Sequence, residues 1–288
     1  MIRHVLVPTD LSPLADRAVR YAADLAEALG ADLELVHVCN AGRALYHLTW
    51  TPAGFSTEQE AAEATALARL ETTAEALRSR GLPTSVSVVG PTEPAVAILD
   101  AAARADLVVL ATHGASGEQG GLGPVASIVA HRAECPVLLV GPDQSAVGRG
   151  LRVLVPLDLS EASAAALRGA RDLAAALDGA VEVVHAVSEG AGAVAWGGET
   201  VGADDEPPDA RRHRYVERFV AESEGEAVPV RVRFVEGDPV EAVAQFAREG
   251  GHGLVAAGRP TDRPDAPDAL LEAAALAAGC PTLRVPVR

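Results

Sequence analysis

Few stretches of this sequence combine residue types and spacing that could do chemistry, and the most conspicuous is "ATHGASGEQGGLGPVAS", residues 111–127. It is rich in glycine and follows the apolar run "DLVVL". Such a turn ahead of a helix presents backbone N–H groups that can hold phosphate oxygens, and its glycines let a ligand approach the chain closely. Asp10 and Asp158 each follow a short apolar run, "HVLVP" and "RVLVP". That places them at the carboxyl edge of a sheet, where α/β folds bind ligands. Aspartate also closes turns and caps helices, so a structural role stays open for both. Other arrangements carry less. "HGASG" (113–117) sets a serine beside His113 without the G-x-S-x-G spacing of an exposed nucleophile. "GLGPVA" (121–126) has the G-x-G-x-x-A form but lies past a fourth strand, not at the first strand-to-helix turn. His37 and Cys39 share one face of a strand, and His185 repeats His37, too few ligands for zinc. Cys135 and Cys280 each precede proline, where a small apolar residue opening a strand explains them.

The elements that must position these residues occur twice. Residues 5–38, "VLVPTDLSPLADRAVRYAADLAEALGADLELVHV", align without gaps on 153–186, "VLVPLDLSEASAAALRGARDLAAALDGAVEVVHA". The two halves are therefore one fold used twice. In the first half, Ser12 offers an N-cap and Pro13 suits the first helical turn. Ala18, Ala22, Leu25 and Leu29 then fall on one helical face, and Gly30 ends the helix. The pattern predicts five strands alternating with four helices per half, with helices over 58–80 and 210–224, and 270–278 as the last helix. Trp50 and Trp196 fall in the long loops 40–57 and 189–209. With 49% hydrophobic and 3% aromatic residues, the core must be Ala, Val and Leu, which suits buried parallel strands. The expected fold is α/β: two tandem Rossmann-like domains, each a five-stranded mainly parallel sheet with helices on both faces. The expected boundaries are 1–141 for the first domain, 142–150 for a linker and 151–288 for a degenerate second domain.

On these residues the chain resembles the universal stress proteins in their tandem two-domain form. The resemblance rests on 5–38, "ATHGASG" and "CPVLLV", and on the counterparts "VLVPLDLSEASAAAL", "AAGRP" and "CPTLRV". It implies a cytoplasmic stress-response module of the adenine nucleotide alpha hydrolase-like fold, non-catalytic, often pairing two domains face to face. Many members bind ATP, through a loop of Gly, two residues, Gly, nine residues, then Gly and a hydroxyl residue. Carried onto this chain, the resemblance implies an ATP site in the N-terminal half made by Pro8, Thr9, Asp10, Val38, Ala111, His113, Gly114, Gly123 and Val125. In the family the acid at Asp10 contacts the nucleoside, and the backbone at Val38 meets the base edge.

This sequence departs from that pattern. Ala111 stands at the first glycine, only eight residues separate Gly114 from Gly123, and Pro124 replaces the hydroxyl and removes an N–H. The amides from Ala115 to Gly123, and again from Val125, are expected to supply what anion nest remains. The second-half loop, "GRPTDRPDAPDA" (258–269), has Thr261 at the second glycine, and three prolines and three aspartates where phosphates would lie. Thr9 becomes Leu157 there, and Val38 becomes Ala186. Nucleotide binding is expected in the first half only. A scaffold binding nothing small in either half is the alternative, and a weak ATPase a third reading.

Charge narrows the partners. The chain carries a net −16 with no lysine, and 17 acids face 9 arginines in residues 1–148. Neither half has the basic footprint that nucleic acid or an anionic membrane requires. The opening "MIRHVLVPTD" is too short in apolar residues for a signal peptide, and no run reaches membrane-spanning length. The expectation is a cytoplasmic protein with reduced thiols, no metal, an intramolecular pseudo-dimer of its halves, and a homodimer left open.

Overall fold

The computed structural model describes residues 2–39, 52–114, 122–142, 147–187, 208–237, 239–259 and 281–287, with backbone only at 52–58, 208, 209 and 239. Trp50, Trp196, Cys280, the expected helix 270–278 and most of the loop 258–269 lie outside these residues. The chain divides into two compact units, Met1–Gly148 and Arg149–Arg288.

In the first unit, β1 (His4–Pro8), β2 (Asp32–Val38), β3 (Thr84–Val89), β4 (Leu107–Ala111) and β5 (Val137–Val140) pair in the order β3-β2-β1-β4-β5. Every pairing between them is parallel. Parallel neighbours need crossover helices, and these are α1 (Pro13–Leu29), α2 (Pro52–Ser79), α3 (Pro94–Ala102) and α4 (Pro124–Arg132). Right-handed crossovers in this order put α1 and α2 on one face and α3 and α4 on the other, and α3 packs on α4. The order reverses between β1 and β4. That switch point is where a doubly wound sheet opens a crevice beyond its carboxyl ends.

Local sequence explains the elements. Ser12 caps α1 with its hydroxyl accepting from the Ala15 N–H at 3.2 Å, Pro13 opens the first turn, and Gly30 closes the helix with φ +66°. Alanines at 15, 18, 22, 23 and 26 bring α1 close to the sheet, while Val19 and Leu25 fill the space between. Burying each such large side chain contributes about 2 kcal/mol. The strands β1, β4 and β5 are buried on both faces, which is why they read as unbroken apolar runs. Helix α2 begins at Pro52, six residues ahead of the expected start at 58. Pro52, Gly54 and Ser56 read as loop residues, but proline fits a first helical turn, and Ala66, Leu70, Ala74 and Leu77 anchor the helix further along.

The second unit repeats this plan with β6 (Arg152–Pro156), β7 (Ala180–Val187), β8 (Val230–Glu236), β9 (Leu254–Gly258) and β10 (Thr282–Val285), in the order β8-β7-β6-β9-β10. Its pairings are also parallel. Among its described residues the helices are α5 (Glu161–Ala176), α6 (Pro208–Glu222) and α7 (Pro239–Glu249). Ser160 caps α5 as Ser12 caps α1, with the Ser163 N–H at 3.1 Å. Arg171 of α5 donates to the Val220 and Ser223 carbonyls at 2.7 and 2.6 Å, satisfying two of the acceptors that the end of α6 leaves open.

Candidate functional site

A cavity of about 380 Å³ opens at the β1/β4 switch point of the first unit. Its size suits a small-molecule pocket. All nine residues expected to form a site line it: Pro8, Thr9, Asp10, Val38, Ala111, His113, Gly114, Gly123 and Val125. Apolar walls come from residues that read only as core, namely Val36, Ile98 and Leu110, with Pro94 at the start of α3. Nothing in the one-dimensional pattern separates a core isoleucine from one beside a cleft. Ile98 enters because α3 follows the crossover to the second face of the sheet.

The turn that carries Asp10 is held by side chains bonding to its own backbone. Thr9 Oγ1 accepts from the Leu11 N–H at 3.1 Å, and Asp10 Oδ1 accepts from the Ser12 N–H at 3.0 Å. Leu11 sits at φ +63°, a left-handed conformation that costs about 1 kcal/mol or more for a residue with a side chain. These bonds hold it there, and Arg69 of α2 adds a bond to the Leu11 carbonyl at 3.1 Å. His37 donates from Nδ1 to the Thr9 carbonyl at 2.8 Å. His37 therefore anchors the end of β1, and the described residues contain no group of three or more His, Cys, Asp or Glu able to hold a metal. Cys39 and Cys135 are buried cysteines, and burial, with Glu63 nearby, pushes the Cys39 pKa up.

Asp10 has two tasks. One oxygen closes the turn, and the other faces Gly114: a Cβ at 114 would fall 2.7 Å from Asp10 Oδ2. A side chain at 114 would have to push the Asp10 carboxylate aside, so the second glycine of the loop leaves room for that carboxylate. His113 bonds through Nδ1 to Thr112 Oγ1 at 3.0 Å, and its Nε2 is buried with no partner among the described residues.

The backbone of Val38 faces the cavity for a reason of register. Alternate residues of a parallel strand turn their N–H and C=O groups to opposite neighbours. The Val36 carbonyl accepts from the Thr9 N–H on the β1 side at 2.9 Å, whereas the Cys39 N–H donates to Val89 on the β3 side at 2.7 Å. Val38 therefore turns toward β1, two residues beyond the point where Pro8 ends that strand.

The phosphate end differs from expectation. Gly123 is the N-cap of α4, but its N–H donates to the Thr112 carbonyl at 2.8 Å, closing the base of the loop. It is not an open donor. Pro124 has no N–H, which leaves Val125 and Ala126 as the first-turn donors without a carbonyl one turn back inside the helix. Residues 115–121 lie outside the described residues.

The second unit keeps the turn and changes the cleft. Asp158 Oδ1 accepts from the Ser160 N–H at 3.0 Å, Leu159 sits at φ +64°, and His185 bonds to the Leu157 carbonyl at 2.7 Å. Gly258, the counterpart of Ala111, lies so close to α5 that a Cβ on it would collide with the Ala162 carbonyl. Here the glycine admits a helix, in a place where the first unit has part of its cavity.

Among the described residues, the strongest charge cluster lies at the opposite, amino end of the second unit's strands. Glu182 is 7% exposed and takes Arg152 and His252 on Oε2, each at 2.9 Å, and Arg233 on Oε1 at 3.0 Å. Burial alone raises its pKa, but bonds from Arg233, His252 and Arg152 outweigh that and hold it at about 2. Among the described residues, the counterpart Glu34 has only His4 at 3.1 Å and Ser87 at 3.3 Å.

A model of the universal stress protein family matches residues 1–141 and again 151–264. Among curated proteins none matches. Among solved structures, a universal stress protein from Archaeoglobus fulgidus is similar at 18% identity with a TM-score of 0.70, covering 99% of this chain and 98% of that one. A Pseudomonas aeruginosa protein is similar at 16% identity with a TM-score of 0.62, covering 99% and 93%. At such identities the likeness speaks for the fold.

Proposed function

The chain belongs to the universal stress protein family, carrying its domain twice, and on that premise we propose that it is a cytoplasmic, non-catalytic stress-response module that holds one adenine nucleotide, in its N-terminal half. The observation that carries this reading is the convergence of Asp10, the Val38 backbone, His113, Gly114 and the start of α4 on one cavity at the switch point. Val36, Ile98 and Leu110 offer apolar faces to a purine, and the open N–H and C=O of Val38 offer its edge a donor and an acceptor. Asp10 is placed to accept from ribose hydroxyls, and the Val125 and Ala126 amides to meet the first phosphate. No lysine or arginine lines the described part of the cleft, so the described lining offers no cation to a transferring phosphoryl group, which favours holding over hydrolysis.

The engaged Gly123 N–H favours a second reading, in which neither half binds a nucleotide and the chain is a scaffold for protein contacts. Thermal unfolding with and without adenine nucleotides separates the two. A ligand bound only by the folded state adds about 2.7 kcal/mol at a hundred times its Kd. A melting temperature that rises with nucleotide concentration is expected; an unchanged one at millimolar AMP, ADP and ATP would support the scaffold.

A further inference from the structure

We infer that the outer edge of β8 takes an extended acidic segment of a partner protein, added to the second unit's sheet as a further strand. The inference is independent of the N-terminal cleft. Three observations carry it. The first is an open edge: β8 ends the strand order of its unit, the Pro229 carbonyl accepts from the Val181 N–H at 2.9 Å, and the Gly237 N–H donates to the Val187 carbonyl at 3.1 Å. Alternate residues of a parallel strand face opposite neighbours, so the N–H and C=O groups of Val230, Val232 and Phe234 turn outward. Among the described residues they have no partner.

The second observation is unspent charge beside that edge. Arg231 pairs in register with Glu182, and Arg233, two residues on, shares its face of the sheet. Both are exposed. Among the described residues Arg233 spends only its Nε–H, on Glu182 at 3.0 Å, and Arg231 makes no hydrogen bond or ion pair. Glu182 already holds Arg152 and His252 as well, which leaves the charge of Arg231 unmatched. The third observation is the contrast with the first unit, where Ser85 and Ser87 stand in place of the two arginines and Arg78 Nε closes the outward carbonyl of Thr84 at 2.7 Å. The same corner of the sheet forms there without arginines on β3, so the fold does not require them.

Charged side chains on an edge strand turn away apolar and like-charged strands. They admit one of opposite charge and so act as a filter. A second copy fits badly, because its β8 would set arginine against arginine and its β3 offers serines. In an antiparallel partner strand, the residues opposite Arg231 and Arg233 lie two apart and form the closer, non-hydrogen-bonded pairs, while the residue between them bonds to Val232. Carboxylates at those two positions would meet unspent guanidinium donors.

The test is a fluorescence-anisotropy titration of the full chain against synthetic peptides of about eight residues, β-branched throughout except for glutamates at two alternate positions. Saturable binding is expected, weakened about tenfold or more by Arg231→Gln, which removes a charged partner without breaking an internal bond. Arg231→Glu should abolish it and bind instead the peptide with lysines for glutamates. Moving the glutamates to adjacent positions, or N-methylating the residues that pair with the strand, should each cost most of the affinity. Affinity that survives both changes would reduce the contact to loose charge attraction and overturn the inference. So would no binding at millimolar peptide, or equal binding of the lysine peptide by the unmodified chain.

Discussion

The two halves of this chain keep the same turn and differ in what lies beside it. Ser12 and Ser160 cap their helices alike, Leu11 and Leu159 adopt the same left-handed conformation, and His37 and His185 grip the same carbonyl. Yet Thr9 becomes Leu157, and Ala111, which lines a cavity, becomes Gly258, which admits the start of α5. The comparison teaches that the Asp-x-Ser turn is part of the scaffold and persists whatever the cleft does. An aspartate at the carboxyl edge of a sheet is therefore weak evidence for a ligand until the space beside it is known.

The sharpest way to probe that difference is to exchange the two residues that set it. Gly258→Ala drives a methyl group into the Ala162 carbonyl and should destabilise the second half by about 3 kcal/mol through overpacking. Ala111→Gly should cost less than about 1 kcal/mol, the usual effect of glycine in a strand. Urea unfolding of both variants reads the contrast, and equal effects would mean that α1 and α5 approach their sheets equally.

The buried carboxylates give the next largest contrast. Removing Glu182 strands His252, whose side chain is fully buried, whereas Arg152 and Arg233 are half exposed and can rehydrate. Glu182→Ala should cost about 2–3 kcal/mol. Glu34→Ala removes a partner from the more exposed His4 and should cost about 1 kcal/mol or less.

The same cluster predicts a pH dependence with a definite sign. Glu182 has its pKa lowered from the ordinary 4.5 to about 2 in the folded protein, so its contribution is fully present above pH 4.5 and lost as pH falls toward 2. The amount is on the order of 3 kcal/mol, from about 1.4 kcal/mol for each unit. Unfolding measured at pH 7, 4.5 and 3 should show the decline, and Glu182→Ala should flatten it. A wild-type slope retained in that variant would assign the acid sensitivity elsewhere.

The smallest effects should be equal. Ser12→Ala and Ser160→Ala each remove one N-cap bond and should each cost about 1 kcal/mol, the exposed bond that the Ser160 hydroxyl also donates to Asp158 adding little. A marked inequality would show that one cap is coupled to its cleft, which would break the view that the turn is common scaffold.

Much of this was legible in the residues alone. The repeat at 5–38 and 153–186 announced one fold used twice, because apolar strands, caps and glycine stops recur in the same register. The nine residues implied by the family resemblance line the cleft, whereas its apolar walls, Val36, Ile98 and Leu110, read only as core. Three further features were not legible. The start of α2 at Pro52 hid behind residues that serve loops and first turns equally well. The Gly123 N–H looks like an open donor until the loop base closes on Thr112, a contact eleven residues apart that no local pattern encodes. Gly258 stands at the first glycine of the family's loop pattern, and sequence cannot say whether a missing Cβ there admits a ligand or a helix. In each case the unread quantity is a through-space approach between backbone segments.

On the proposed function the chain holds one ligand, in its N-terminal half. Calorimetric titration with AMP of the unmodified chain and of Gly114→Val, whose side chain would displace the Asp10 carboxylate, tests it most directly. One equivalent bound by the unmodified chain and none by the variant is the predicted result. Two equivalents, or one that survives in Gly114→Val, would contradict it.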